Sequence, residues 1–206
     1  KALIHYAAQF GSPFIIMGLL GAGANVDQAD KDGSTALMVA AERGPLKIVK
    51  RLIELGADVN HTNNDGKTAL MIAAQSGHLD IVNRLIEEGV DVNHANRYGW
   101  TALLFAAKEG HLDIVNRLIE KSANVDQTSD TGWTALIAAA GMGHLDIVNR
   151  LIEKSANVNQ ADKDGETALI NAAVRGRRDV VDTLIKARAD VNHANRYGWT
   201  ALLFAA

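Results

Sequence analysis

The feature that most limits what this chain can fold into is a period. A glycine, one variable residue and then Thr-Ala-Leu begins at Gly33, Gly66, Gly99, Gly132, Gly165 and Gly198, each 33 residues after the last, with no insertion or deletion. A strict period of that length signals stacked supersecondary modules that cannot bury their apolar faces alone. The second half of the module recurs as well: His-Leu-Asp-Ile-Val-Asn-Arg-Leu-Ile-Glu starts at His78, His111 and His144. Asn93 to Ala107 returns residue for residue as Asn192 to Ala206, as duplication within an array or assembly from modules would leave it.

One module reads clearly. Thr68 is placed to cap a short helix whose apolar positions include Leu70, Ile72, Ala73 and Ala74, since a threonine oxygen accepts from an otherwise unpaired first-turn N–H. Paired alanines let this inner helix approach its neighbours closely. Gly77 closes it by permitting a left-handed turn. A second, outer helix sets Leu79, Ile81, Val82, Leu85 and Ile86 on one face and Asp80, Asn83, Arg84 and Glu87 on the other. Gly89 ends it, and Val90 to Gly99, rich in Asn, Asp and Gly, forms a turn-built finger toward the next module. Neither helix is long enough to persist alone in water.

These residues resemble the ankyrin repeat: a finger-like hairpin and two antiparallel helices in 33 residues. The resemblance implies an all-α fold, an ankyrin-repeat solenoid of antiparallel helix pairs joined by β-hairpin-like fingers. It covers residues 1–206 as a single array: a partial first repeat 1–29, repeats 30–62, 63–95, 96–128, 129–161 and 162–194, and a partial last repeat 195–206. Where the family has Thr-Pro-Leu-His, this chain has Ala after Thr35, Thr68 and every later counterpart. The family histidine becomes Met38, Met71, Leu104, Ile137, Ile170 and Leu203, and only His5 retains it. The first outer helix, Pro13 to Gly21, carries Phe14 and Met17 where later repeats have Lys47 and Lys50, or Asp80 and Asn83. At the other end Leu202, Leu203 and Phe204 lack the cover of an outer helix. Such ends suit a segment of a longer array, with a homotypic contact through them as the alternative.

Composition narrows the function. A formal charge of −3 gives no field favouring nucleic acid. The most apolar run, Pro13 to Leu20, is far short of the ~20 residues that span a bilayer, so no membrane partner is expected. No cysteine is present, which excludes disulfides and thiolate metal sites and fits a cytoplasmic location. His78, His111 and His144 share one repeat position and His61, His94 and His193 another. Whole-repeat spacing is too wide for one ion to gather three ligands at ~2 Å, so they read as structural hydrogen-bonding groups and no metal or cofactor is expected. Asp80, Asp113 and Asp146 recur on the outer helices as solvated charges. No phosphate loop, nucleophile elbow or zinc-protease motif occurs, so enzyme activity is not expected.

The resemblance implies a binding scaffold that uses its finger tips and the open side of its inner helices. The residue after each finger glycine is Ser34, Lys67, Trp100, Trp133, Glu166 and Trp199, so all three tryptophans occupy one repeat position. Before the glycine stand Tyr98, Thr131 and Tyr197 in the same modules, with Arg97 and Arg196 ahead of the tyrosines. Trp, Tyr and Arg bring large contact area with a polar handle, as binding hot spots require. Lys108 and Glu109, then Gly141 and Met142, lie at the exposed end of the inner helices beside them. The expected site is a strip of Tyr98, Trp100, Trp133 and Met142, with indoles free in water, taking a protein or peptide partner. The alternative is that each indole folds onto a neighbouring finger and braces it. Three other readings stay open: an architectural spacer, an engineered or consensus-like array, and a reader of small cationic ligands.

Overall fold

The computed structural model describes residues 2–205; Lys1 and Ala206, which the outermost repeat boundaries include, lie outside the described residues. The described residues form thirteen helices and no strand. The first pair is α1 (Leu3–Gln9) and α2 (Pro13–Gly21). Inner helices α3 (Ala36–Arg43), α5 (Ala69–Ser76), α7 (Ala102–Glu109), α9 (Ala135–Met142) and α11 (Ala168–Val174) follow. They alternate with outer helices α4 (Leu46–Glu54), α6 (Leu79–Glu87), α8 (Leu112–Glu120), α10 (Leu145–Glu153) and α12 (Arg178–Lys186), and α13 (Ala201–Ala205) is last.

The chain divides into two compact halves, 1–97 and 98–206. In the first, α1, α3 and α5 pack in series while α2, α4 and α6 back them. In the second, α7, α9, α11 and α13 form the inner row and α8, α10 and α12 the outer one. The inner rows approach closely because alanines such as Ala73, Ala74, Ala139 and Ala140 are completely buried at the contacts. Outer helices bury one stripe only: Ile81, Val82 and Leu85 in α6, with Asp80 left to water. No helix among the described residues is long and apolar enough to cross a membrane.

Inner helices α3, α5, α7, α9 and α11 each start where a threonine stands. Thr35, Thr68, Thr101, Thr134 and Thr167 accept from the N–H three residues on at 3.2–3.4 Å, a cap worth about 1 kcal/mol. His5 is fully buried; its Nδ1 accepts from Ala2 N–H (3.0 Å) and its Nε2 meets the Ser34 carbonyl (2.8 Å). From α3 to α11 the corresponding position is filled by Met38, Met71, Leu104, Ile137 and Ile170, all buried. Apolar packing therefore replaces the polar link in those repeats.

The turn that leaves each outer helix needs a left-handed residue. In the first half Gly23, Gly56 and Gly89 supply it; in the second Ser122 (φ 62°), Ser155 (φ 61°) and Arg188 (φ 66°) do. An L-residue held there costs about 1–2 kcal/mol relative to the right-handed region. The second half is strained at these three places in a way the first is not.

Candidate functional site

The fingers are held by their own backbones before any side chain is considered. In the fingers of Ser34, Lys67, Trp133, Glu166 and Trp199 a residue near the start of the turn donates back across it: Ser129 N–H to the Trp133 carbonyl (2.9 Å), and Asn195 N–H to the Trp199 carbonyl (2.9 Å). Isolated antiparallel bridges join Ala161 to Thr167 and Ala194 to Thr200. Successive tips are then linked by one bond per repeat. In the second half Asp130 donates to the Tyr98 carbonyl (2.9 Å), Lys163 to Thr131 (2.9 Å) and Arg196 to Asp164 (3.0 Å). The glycines make this approach possible. At Gly99 (φ 74°) an added Cβ would lie 2.6 Å from Asp130 N and 2.8 Å from Ser129 Cα. In the second half the residue after each finger glycine thus projects from a turn tied to its neighbour.

On that frame the second half places Trp100 against Phe105 of α7, ring centroids 5.1 Å apart and planes tilted by 39°. Trp133 lies 6.3 Å from Trp100, tilted by 34°. Lys108 sets its ammonium 5.6 Å from the centre of the Trp100 ring, within the range of cation–π attraction, and also meets Glu109 at 3.5 Å. Tyr98 and Met142, the other two residues of the expected strip, are exposed. Thr131 is exposed, and its hydroxyl lies 3.0 Å from that of Ser129.

Indoles free in water do not describe Trp100 and Trp133, which are both half-buried. Trp100 finds an apolar bed in Phe105, buried but for 7%, and has Trp133 and the Lys108 ammonium close to it as well. Phe105 was not singled out from the sequence. The signal was present: Trp and Phe five residues apart occur together in this repeat and again as Trp199 and Phe204. Nor is the floor at Gly141 open, because the site of its absent side chain is approached by Arg175 Nε at 3.4 Å and Asn171 Oδ1 at 3.7 Å. Arg177 Nε also donates to the Gly141 carbonyl (3.3 Å).

The remaining candidates sit elsewhere. Arg97 belongs to the first half, where its guanidinium meets Asp65 Oδ1 (2.5 Å) and donates to the Asn64 carbonyl (3.2 Å). Arg196 pairs with Asp164 (2.6 Å) and donates to the Tyr197 hydroxyl (2.5 Å). The Tyr197 hydrogen bond, and after it the Asp164 charge, hold its pKa above the ordinary value. Tyr197 is 64% exposed and Trp199 49%, the latter leaning on Phe204 at 4.9 Å.

Histidines act as braces between repeats. The imidazole Nε2 of His61, His94 and His193 meets the carbonyl of Gly33, Gly66 and Gly165 at 2.9–3.1 Å. His144 Nε2 meets the Lys108 carbonyl at 3.0 Å, so it helps fix the end of α7 that carries Lys108. No cluster of three or more His, Asp or Glu among the described residues is placed to hold a metal ion.

Known proteins sharpen this picture. The family described as Ankyrin repeats (3 copies) matches residues 4–96, 84–162 and 155–206. Among solved structures, the chain is similar to the human ASB11 ankyrin repeat domain. The two are 28% identical with a TM-score of 0.89, over 100% of this chain and 92% of that one. No curated protein matches the sequence. Threonine-capped inner helices, finger turns linked tip to tip, and a family match running from residue 4 to residue 206 agree, and the chain belongs to the ankyrin repeat family.

Proposed function

We propose that the second half binds a protein or peptide partner through the face carrying Tyr98, Trp100, Trp133 and Met142, with Lys108, Glu109 and Thr131 at its edge. Ankyrin repeats are in general protein–protein interaction modules, and this reading assigns that role to particular residues. The observation that carries it is the pair of half-buried indoles 6.3 Å apart, on fingers linked by the Asp130 N–H to Tyr98 carbonyl bond. Burying the rest of one such ring, less than roughly 90 Å² of surface, contributes at most about 2 kcal/mol. Because turn backbone and Phe105 already fix Trp100, little side-chain entropy is lost when a partner closes over it. Arg196, Tyr197 and Trp199 offer a second, more open copy of the arrangement. Arg97, ion-paired within the first half, is a rim contact at most.

Affinity capture with immobilised wild-type protein and the double variant Trp100→Ala/Trp133→Ala tests the proposal. The expected outcome is a set of captured proteins lost with the variant, while the melting temperature falls by less than about 4 °C. Unchanged capture, with a much larger drop in melting temperature, would assign the indoles to bracing. Capture of nothing by either protein would favour an architectural spacer.

A further inference from the structure

We propose a second docking site, on the first half: the groove between α2 and α4, built to receive an acidic amphipathic helix from another protein. Comparison of repeat positions shows what is unusual about α2. The position of Phe14 is held later by Lys47, Asp80, Asp113 and Asp146, all exposed, although Lys47 and Asp146 each have a repeat on either side within their own half. Stacking does not cover this position, so a neighbouring repeat gives no reason for an aromatic there. Phe14 is nevertheless 85% exposed, and Met17, one helical turn on, 49%.

Two further departures open the groove. At the positions of Gly18 and Gly21 the next repeat carries Arg51 and Glu54, joined at 2.9 Å. Later repeats keep the same ridge as Arg84–Glu87 (3.8 Å), Arg117–Glu120 (3.6 Å) and Arg150–Glu153 (3.4 Å). On α2 the ridge is missing, and no atom stands within 4 Å of where a Cβ would be at either glycine. What remains is a concavity of about 540 Å³ lined by Pro13, Phe14, Met17 and Leu46, by Lys47 and Lys50, and by the Arg51–Glu54 pair.

Charge selects the occupant. Glu54 is engaged by Arg51, whereas neither Lys47 nor Lys50 is ion-paired among the described residues. An apolar seam beside two unpaired ammonium groups one helical turn apart is complementary to a helix with an apolar stripe and carboxylates next to it. A second copy of this chain, docked face to face, would set those lysines against their own counterparts. A concavity between two helices takes a ridge of side chains better than a flat plane of lipid headgroups.

The probe is a fluorescent synthetic helix of roughly 18 residues with leucines on one stripe and glutamates flanking them. Fluorescence polarisation should give a Kd on the order of 10–100 µM that weakens with added salt. The same peptide with lysines for glutamates should bind at least about tenfold more weakly. Phe14→Lys/Met17→Lys, which installs at both positions the residue of the next repeat, should weaken binding by a similar factor with an unchanged melting curve. Trp100→Ala/Trp133→Ala should bind the peptide as wild type does, so failure here and failure of the aromatic site are told apart. Equal binding of both peptides, or full binding by the Phe14/Met17 variant, would overturn the proposal. So would a peptide that fails to bind while vesicles rich in phosphatidylserine do, or while a Phe14-dependent dimer appears in sedimentation velocity.

Discussion

Asn93 to Ala107 and Asn192 to Ala206 are one sequence in two settings, and the difference between them separates what a repeat does for itself from what its surroundings do for it. The local geometry is nearly the same in both. Trp100 lies 5.1 Å from Phe105 and Trp199 4.9 Å from Phe204, tilted by 39° and 42°. Burial is not. Leu103 and Leu104 are sealed, whereas Leu202 is 75% exposed and Leu203 58%. Within the second half, α7 packs on α8 and α9, while α13 packs on α11. The indole–phenyl contact is therefore a property of the finger and its own inner helix. The core is a property of the stack.

The largest expected effect uses that contrast directly. Leu104→Ala should cost about 2–5 kcal/mol, the range for emptying a sealed leucine site, and Leu203→Ala less than about 1 kcal/mol. Urea denaturation followed by circular dichroism checks both, and equal losses would break the comparison. Next come the paired glycines. Both have positive φ, but only Gly99 has the next finger's backbone against it, and nothing lies within 4 Å at Gly198. Gly198→Ala should cost about 1 kcal/mol, and Gly99→Ala about 2–3 kcal/mol because strain and overlap add. Ser155→Gly, which gives the second half the turn residue that Gly89 provides in the first, should raise stability by about 0.5–1 kcal/mol. The smallest effect is expected at Arg196→Ala, which removes an exposed ion pair and should leave the denaturation midpoint essentially in place.

The architecture was legible because it depends on features that repeat. A threonine at the start of each inner helix, alanines at the inner contacts and Ile-Val-x-x-Leu on the outer helices each act through local or nearest-neighbour physics, so period alone places them. The site was legible only in part. Its repeat position, after the finger glycine, was readable, because Trp100, Trp133 and Trp199 share it. Their burial was not, because it depends on neighbours beyond the finger itself, such as Phe105 of α7 against Trp100 and Trp100 against Trp133. The carbonyl contacts of the histidines were foreshadowed by spacing as structural hydrogen bonds, but their acceptors, such as the Lys108 carbonyl for His144, came only with the coordinates.

The account turns on whether the Trp100–Trp133 pair is an acceptor of partners or a brace for the fingers. Selecting peptides from a random display library against the wild-type protein, then titrating the winners by calorimetry, puts the question most directly. Peptides competing for one dominant site should lose at least about tenfold in affinity to Trp100→Ala/Trp133→Ala and little to Trp199→Ala. Winners that bind all three proteins alike, together with a double variant that melts far below wild type, would contradict it.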